Sequence, residues 1–155
     1  MTENGPSVLL YDGECGLCNG IVRFLLRHDP HGRLHYAPLQ GVPAQRLLQE
    51  RGLPTSDFST LVFVPDWNKR RTGPLLLRTD GAFAACAVIG GSLRPVAWLR
   101  VAPRALRDAV YRAVARLRYR IFGKYRPRPL EDPSWQARFL TDEGADGVPS
   151  ARSAP

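Results

Sequence analysis

Apolar residues fall into short unbroken runs in the first half of this chain and into helical spacing in the second. Residues 7–11 (SVLLY) read as a short buried strand, broken by Asp12-Gly13. Residues 19–28 (NGIVRFLLRH) read as a helix stopped by Asp29-Pro30. Only Arg23 and Arg27 give that helix a wet stripe, so it should be largely buried. Residues 33–38 suit a second strand, and residues 43–51 a helix with proline in its first turn and Gly52 past its end. TLVFV (60–64) is the clearest strand, LLLR (75–78) its partner, and PDWNKRRTG the polar loop between them. Thr79 or Asp80 can cap a helix over residues 81–89 that Gly90-Gly91 ends.

The order so far is βαβαββα, without internal repeats. From Ser92 onward the pattern is helical: a short segment over 93–101 around Pro95, then a longer helix over 103–122. In the latter, Leu106, Val110, Val114, Leu117 and Ile121 share one face, which is expected to dock on the preceding domain. Prolines 127, 129 and 133 rule out regular helix beyond Gly123, and the tail 142–155 has little to bury and should be disordered. The expectation is one α/β domain over residues 1–141, with a core over 7–91 and a helical extension over 92–126.

Charge sharpens this division. The net charge is +8, and between Arg100 and Arg128 ten Lys/Arg face one acid, Asp108. The whole excess therefore sits on the helical extension. A basic n-region and an apolar h-region are both missing from MTENGP, and no apolar stretch approaches the roughly 20 residues of a membrane span. Three cysteines are too few for a small secreted protein held by disulfides. A cytoplasmic location is the default expectation, and there a close cysteine pair points to catalysis or metal binding.

DGECGLC places Cys15 and Cys18 three apart, between the first strand and the first helix. Free N–H groups and the helix dipole favour a thiolate there, and one helical turn brings the second sulfur within reach. Cys15 is then the exposed nucleophile and Cys18 the partly buried resolving thiol. Asp12 is either a general base beneath the pair or a turn residue. Glu14 opposes ionisation of Cys15. Gly13 and Gly16 let the backbone turn and a partner approach closely.

Tyr11-Asp12-Gly13-x-Cys15-x-x-Cys18 resembles the signature of the DCC family (DxxCxxC) of predicted thiol–disulfide oxidoreductases, which are thioredoxin-like. DFSTLVFV, the IGG at Gly90, APRALRDAVYR, ARLRYRIFGK and ARFL are similar to family segments as well. The resemblance implies a thioredoxin-like α/β core with an added C-terminal helical segment. It also implies catalysis by Cys15 and Cys18 with Asp12 beside them, and no cofactor or metal. Ser59-Thr60 stand where thioredoxins carry the proline that meets substrate backbone, so Gly13, Gly16, Ser59 and Thr60 form the expected substrate-binding set. The partners implied are a disulfide-containing protein or small molecule and a thiol electron donor.

Three other readings compete. Cys15, Cys18, His28 and His31 have a spacing superficially like a zinc finger, but a helix over 19–28 would hold Cys18 and His28 about 15 Å apart. The arginine-rich helix could bind an anionic partner or membrane surface; no module specific for nucleic acid is present. A thioredoxin-like module that binds without catalysis is the third. Cys86, in FAACAVI, is expected to be a small core residue.

Overall fold

Alternation along β1 (Ser7–Tyr11) sends Val8 and Leu10 to one side of a sheet and Leu9 and Tyr11 to the other, and both sides are covered. The structure, a computed structural model, describes residues 4–56, 58 and 60–141. Ser59 and the tail 142–155 lie outside the described residues. β2 (Leu34–Pro38) runs parallel to β1, with Ser7 opposite Leu34. On the other side β3 (Val62–Val64) runs antiparallel to β1, with Leu9 opposite Phe63, and β4 (Leu76–Leu77) closes the edge. The order is β2-β1-β3-β4.

Helix α2 (Val42–Glu50) packs Leu47 and Leu48 against Val8 and Leu10, with Trp67 buried beside them. On the opposite side α1 (Gly16–His28) supplies Val22, Leu25 and Leu26, and α3 (Arg78–Ile89) supplies Ala85 and Ile89. This is a thioredoxin-like α/β arrangement with a C-terminal helical part. That part holds the single turn α4 (Arg94–Ala97), a 3-10 turn over Trp98–Val101, and the long α5 (Arg104–Phe122). The chain then returns to the outer edge of β2, where the Leu140 N–H donates to the Tyr36 carbonyl at 2.9 Å.

Three expectations need correction. The strand over 75–78 shrinks to two residues because the chain turns at Arg78, whose φ of 55° lies in the left-handed region. Helix α3 therefore begins at Arg78, and Thr79 and Asp80 lie in its first turn rather than capping it. Helix α1 likewise starts at Gly16, three residues before Asn19, with Cys15 itself in the N-cap position.

The third correction is larger. The apolar stripe of α5 does not dock: Leu106, Val110, Val114, Leu117 and Ile121 are 44–66% exposed. The docked face is polar, built on Arg107, Tyr111 and Arg118. The Arg107 guanidinium meets Asp80 at 2.9 Å, and the Tyr111 hydroxyl accepts the Leu61 N–H at 2.8 Å. The surface α5 meets explains why. Asp80, the Leu61 N–H just before β3, the Phe58 carbonyl and Asp12 demand polar partners that an aliphatic stripe cannot give. Among the described residues no helix is long and apolar enough to cross a membrane.

Candidate active site

The end of β1 and the start of α1 fix the thiol pair. Tyr11 closes the strand by accepting the Leu39 N–H at 2.7 Å, and Asp12 turns the chain by accepting the Glu14 N–H at 3.0 Å. Cys15, in extended backbone (φ −87°, ψ 124°), becomes the N-cap of α1. Its carbonyl accepts from the backbone N–H of Asn19 at 3.1 Å and from the Asn19 side-chain amide at 2.9 Å. Cys18 lies one turn into the helix, within hydrogen-bonding reach of the Cys15 sulfur. Burial, then the charge and hydrogen bond of Cys15, push the Cys18 thiol up to about 12, against a smaller opposing pull from Arg118.

Helix α5 supplies the other half of the site. Arg118 donates to the Cys18 sulfur at 3.4 Å and pairs with Asp12 at 3.1 Å. It also donates to the Phe58 carbonyl. Burial opposes its charge, but Cys18, Asp12 and Cys15 outweigh that and hold the guanidinium above its ordinary value. The Tyr119 hydroxyl donates to Asp12, and burial together with that bond keeps its proton on well beyond the ordinary phenol range. Gln40 donates to Asp12 at 2.7 Å and accepts the Gly13 N–H at 2.9 Å. Four donors thus converge on one buried carboxylate.

Cys15 is not exposed. It is 0% accessible, whereas Cys18 keeps partial access, so the expected order of exposure is reversed. The cause is a strap formed by Gly123, Lys124 and Tyr125 after α5. The Gly16 N–H donates to the Gly123 carbonyl at 3.2 Å, the Tyr125 N–H donates to the Glu14 carbonyl at 2.7 Å, and Cys15 bridges Lys124 between them. At Gly16 a Cβ would stand 2.7 Å from the Phe122 carbonyl oxygen, so only glycine lets the strap lie this close. Gly16→Ala is expected to lift the strap and speed alkylation of Cys15 about tenfold or more, as for a group protected by local opening. Peptide mapping after a timed iodoacetamide pulse measures it; an unchanged rate would mean the strap does not guard the thiol.

The remaining expected residues divide. Thr60 adjoins a cavity of about 80 Å³ at Cys18, walled also by Leu17, Ile21, Tyr111 and Val114. Gly13 faces Pro38 and Gln40, and the chain's own strap takes the close approach at Gly16. Cys86 packs against the α1–α3 side of the core, where burial raises its thiol. His28 caps its own helix through the Phe24 carbonyl, at the opposite end of α1 from Cys18. Among the described residues no three His, Cys, Asp or Glu side chains stand where they could share a metal ion.

Sequence reasoning missed Arg118, Tyr119, Tyr111 and Gln40. No local signal marks the first: Arg118 is one of many arginines flanking the apolar stripe, and only its contacts with Asp12 and Cys18 separate it from those in solvent.

A site of two thiols, an arginine and a carboxylate at the head of a buried helix can be compared with known proteins. The family model for DCC1-like thiol-disulfide oxidoreductase matches residues 9–124. The chain belongs to this family. It is 37% identical over 133 residues to the uncharacterized protein YuxK of Bacillus subtilis, covering 86% of this chain and 93% of that protein. It is 31% identical over 123 residues to a chloroplastic DCC family protein of Arabidopsis thaliana, covering 79% and 68%. No solved structure matches it. The matched DCC segment ends at Lys124, so it takes in Arg118, Tyr119 and the start of the strap along with the thiols.

Proposed function

We propose that this DCC protein is a thiol–disulfide oxidoreductase in which Cys15 attacks and Cys18 resolves. The observation that carries the reading is the thiol pair at the N-terminus of α1, with the Arg118 guanidinium on the second sulfur. The Cys15 thiolate, at the N-terminus of α1, attacks one sulfur of a substrate disulfide. A Cys15–substrate disulfide forms, and the first substrate thiolate leaves and takes a proton from water. Cys18, protonated at rest, then loses its proton and attacks the Cys15 sulfur, forming Cys15–Cys18 and releasing the second substrate thiol. The substrate gains two electrons and the protein loses two, so a dithiol donor must reset it.

Arg118 assists by stabilising the developing Cys18 thiolate at 3.4 Å. Asp12, with four donors on it, serves by anchoring Arg118 and Tyr119 rather than by taking the proton. Substrate enters beside Thr60 at the cavity on Cys18, and the strap must lift for Cys15 to react. Thr60 lines that cavity, and Ser59, Gly13 and Gly16 complete the substrate-binding set proposed with it. In the cytoplasm proposed for this chain, the thiol poise makes reduction the net direction.

The test is a redox titration of the purified protein in glutathione buffers, with thiols counted by mass after alkylation. A reversible two-electron transition is expected. In Cys18→Ser, a mixed disulfide with substrate should accumulate because nothing resolves it. Full multi-turnover activity in Cys18→Ser would overturn the resolving role. Absence of any intramolecular disulfide, with zinc copurifying, would overturn the oxidoreductase reading itself.

A further inference from the structure

The face of α5 that stays undocked is the largest unexplained feature of the molecule. Leu106, Val110, Leu117 and Ile121 stand exposed along it, and the turn before it presents Trp98 and Val101, 80% and 89% exposed. Exposed apolar side chains gathered this way mark a surface that meets something. Beside them runs a second row, Arg112, Arg116 and Arg120, spaced four apart on an adjacent strip of the same helix. All three are exposed, and none pairs with an acid among the described residues.

We propose that this face docks on the surface of an anionic phospholipid bilayer. The aliphatic row and Trp98 would enter the headgroup–acyl boundary. The arginine row would reach lipid phosphates, its stems lying on the apolar side and its guanidinium groups on the wet side. Charge complementarity selects this occupant. A second copy of the chain presenting the same face would cover the aliphatic row but bring no carboxylate to the arginine row, since the one acid of α5 is Asp108. A nucleic acid would satisfy the arginines but leave Trp98 and the aliphatic row without contact. The surface is also a ridge one helix wide rather than a groove, which a bilayer accepts without matching its shape.

The docking leads back to the thiols. Ile21 and Val114, exposed at the edge of this face, also wall the cavity at Cys18. A docked molecule therefore holds that cavity at the bilayer surface and meets disulfides carried there. This last step rests on the exchange reading above; the docking itself does not.

The experiment uses the full chain and vesicles of phosphatidylcholine alone or mixed with phosphatidylglycerol. Sedimentation with the mixed vesicles at low salt is expected, with a blue shift of tryptophan emission that Trp98→Phe removes without ending sedimentation. Trp67 is buried and Trp135 packs against the core beside Tyr36 and Phe139, so neither masks the change. Val110→Asp with Leu117→Asp should abolish binding. Arg112→Glu, Arg116→Glu and Arg120→Glu together should weaken it roughly hundredfold, as each arginine near a charged surface contributes several-fold. All five positions are exposed, and circular dichroism checks that the variants fold. No sedimentation of the parent protein would overturn the proposal. So would equal sedimentation of the aspartate variant, or a solution dimer that the aspartate variant converts to monomer. None of these outcomes depends on redox activity.

Discussion

Cys15→Ser is expected to leave no disulfide turnover and no intramolecular disulfide, while Cys86→Ser leaves both intact. A serine hydroxyl at the N-cap position of α1 keeps the helix start but remains protonated near neutral pH and does not open disulfides. Cys18 cannot take over, because its thiol is pushed up to about 12 by burial and by Cys15. Removing Cys15 relieves part of that pressure, yet burial, its largest cause, remains. The measurement is steady-state reduction of a small disulfide with a dithiol donor, alongside single-turnover release of the first thiol. The informative failure is specific. If Cys15→Ser still opens the substrate once and Cys18→Ser does not, the thiol on the cavity is the entry point and the roles are reversed. The complete burial of Cys15 makes this comparison the one that decides.

The second large effect concerns Arg118. Its side chain is 9% exposed and that of its partner Asp12 2%, so Arg118→Met would leave a carboxylate buried without its cation. Breaking a buried pair in this way costs about 3–5 kcal/mol, far above the value of a surface pair. The loss should appear as a lower urea midpoint at unchanged slope. Asp12→Asn added to Arg118→Met should restore much of it, since the uncompensated charge is then gone. The chemistry should respond too. Arg118 pulls the Cys18 thiol down, so its removal raises that thiol further and lengthens the life of the mixed disulfide. A midpoint that falls by less than about 1 kcal/mol would mean the pair behaves as a solvated one.

Much of the fold was legible because period and punctuation agreed. The strand over residues 7–11 is found where its pattern puts it, α1 starts three residues earlier than its pattern suggests, and α2 lies one residue earlier at both ends. The errors fell where distant contacts decide. Thr79 and Asp80 resemble caps in isolation, but Arg104 and Arg107 claim Asp80, and the left-handed turn at Arg78 starts the helix earlier. The direction in which α5 docks was misread because hydrophobic spacing reports which face is apolar, not which face the domain can satisfy. In the site, Cys15 and Cys18 announce themselves through spacing. Arg118 and Tyr119 do not, since their meaning comes from Asp12 across the fold. Only tertiary contact turns one arginine of a basic helix into part of the thiol environment.

Cys18 and Arg118 are separated by one hundred positions in the chain. During synthesis from the ribosome, the strands β1 to β4 and helices α1 to α3 are complete before any of α5 has been made. The half-made chain thus carries both cysteines at a helix start with neither guanidinium nor strap in place. Its thiols are uncovered until Tyr125 emerges and donates to Glu14. The newborn protein is therefore more open to oxidation and to adventitious mixed disulfides than the finished one, and the segment that follows α5 is what ends that exposure.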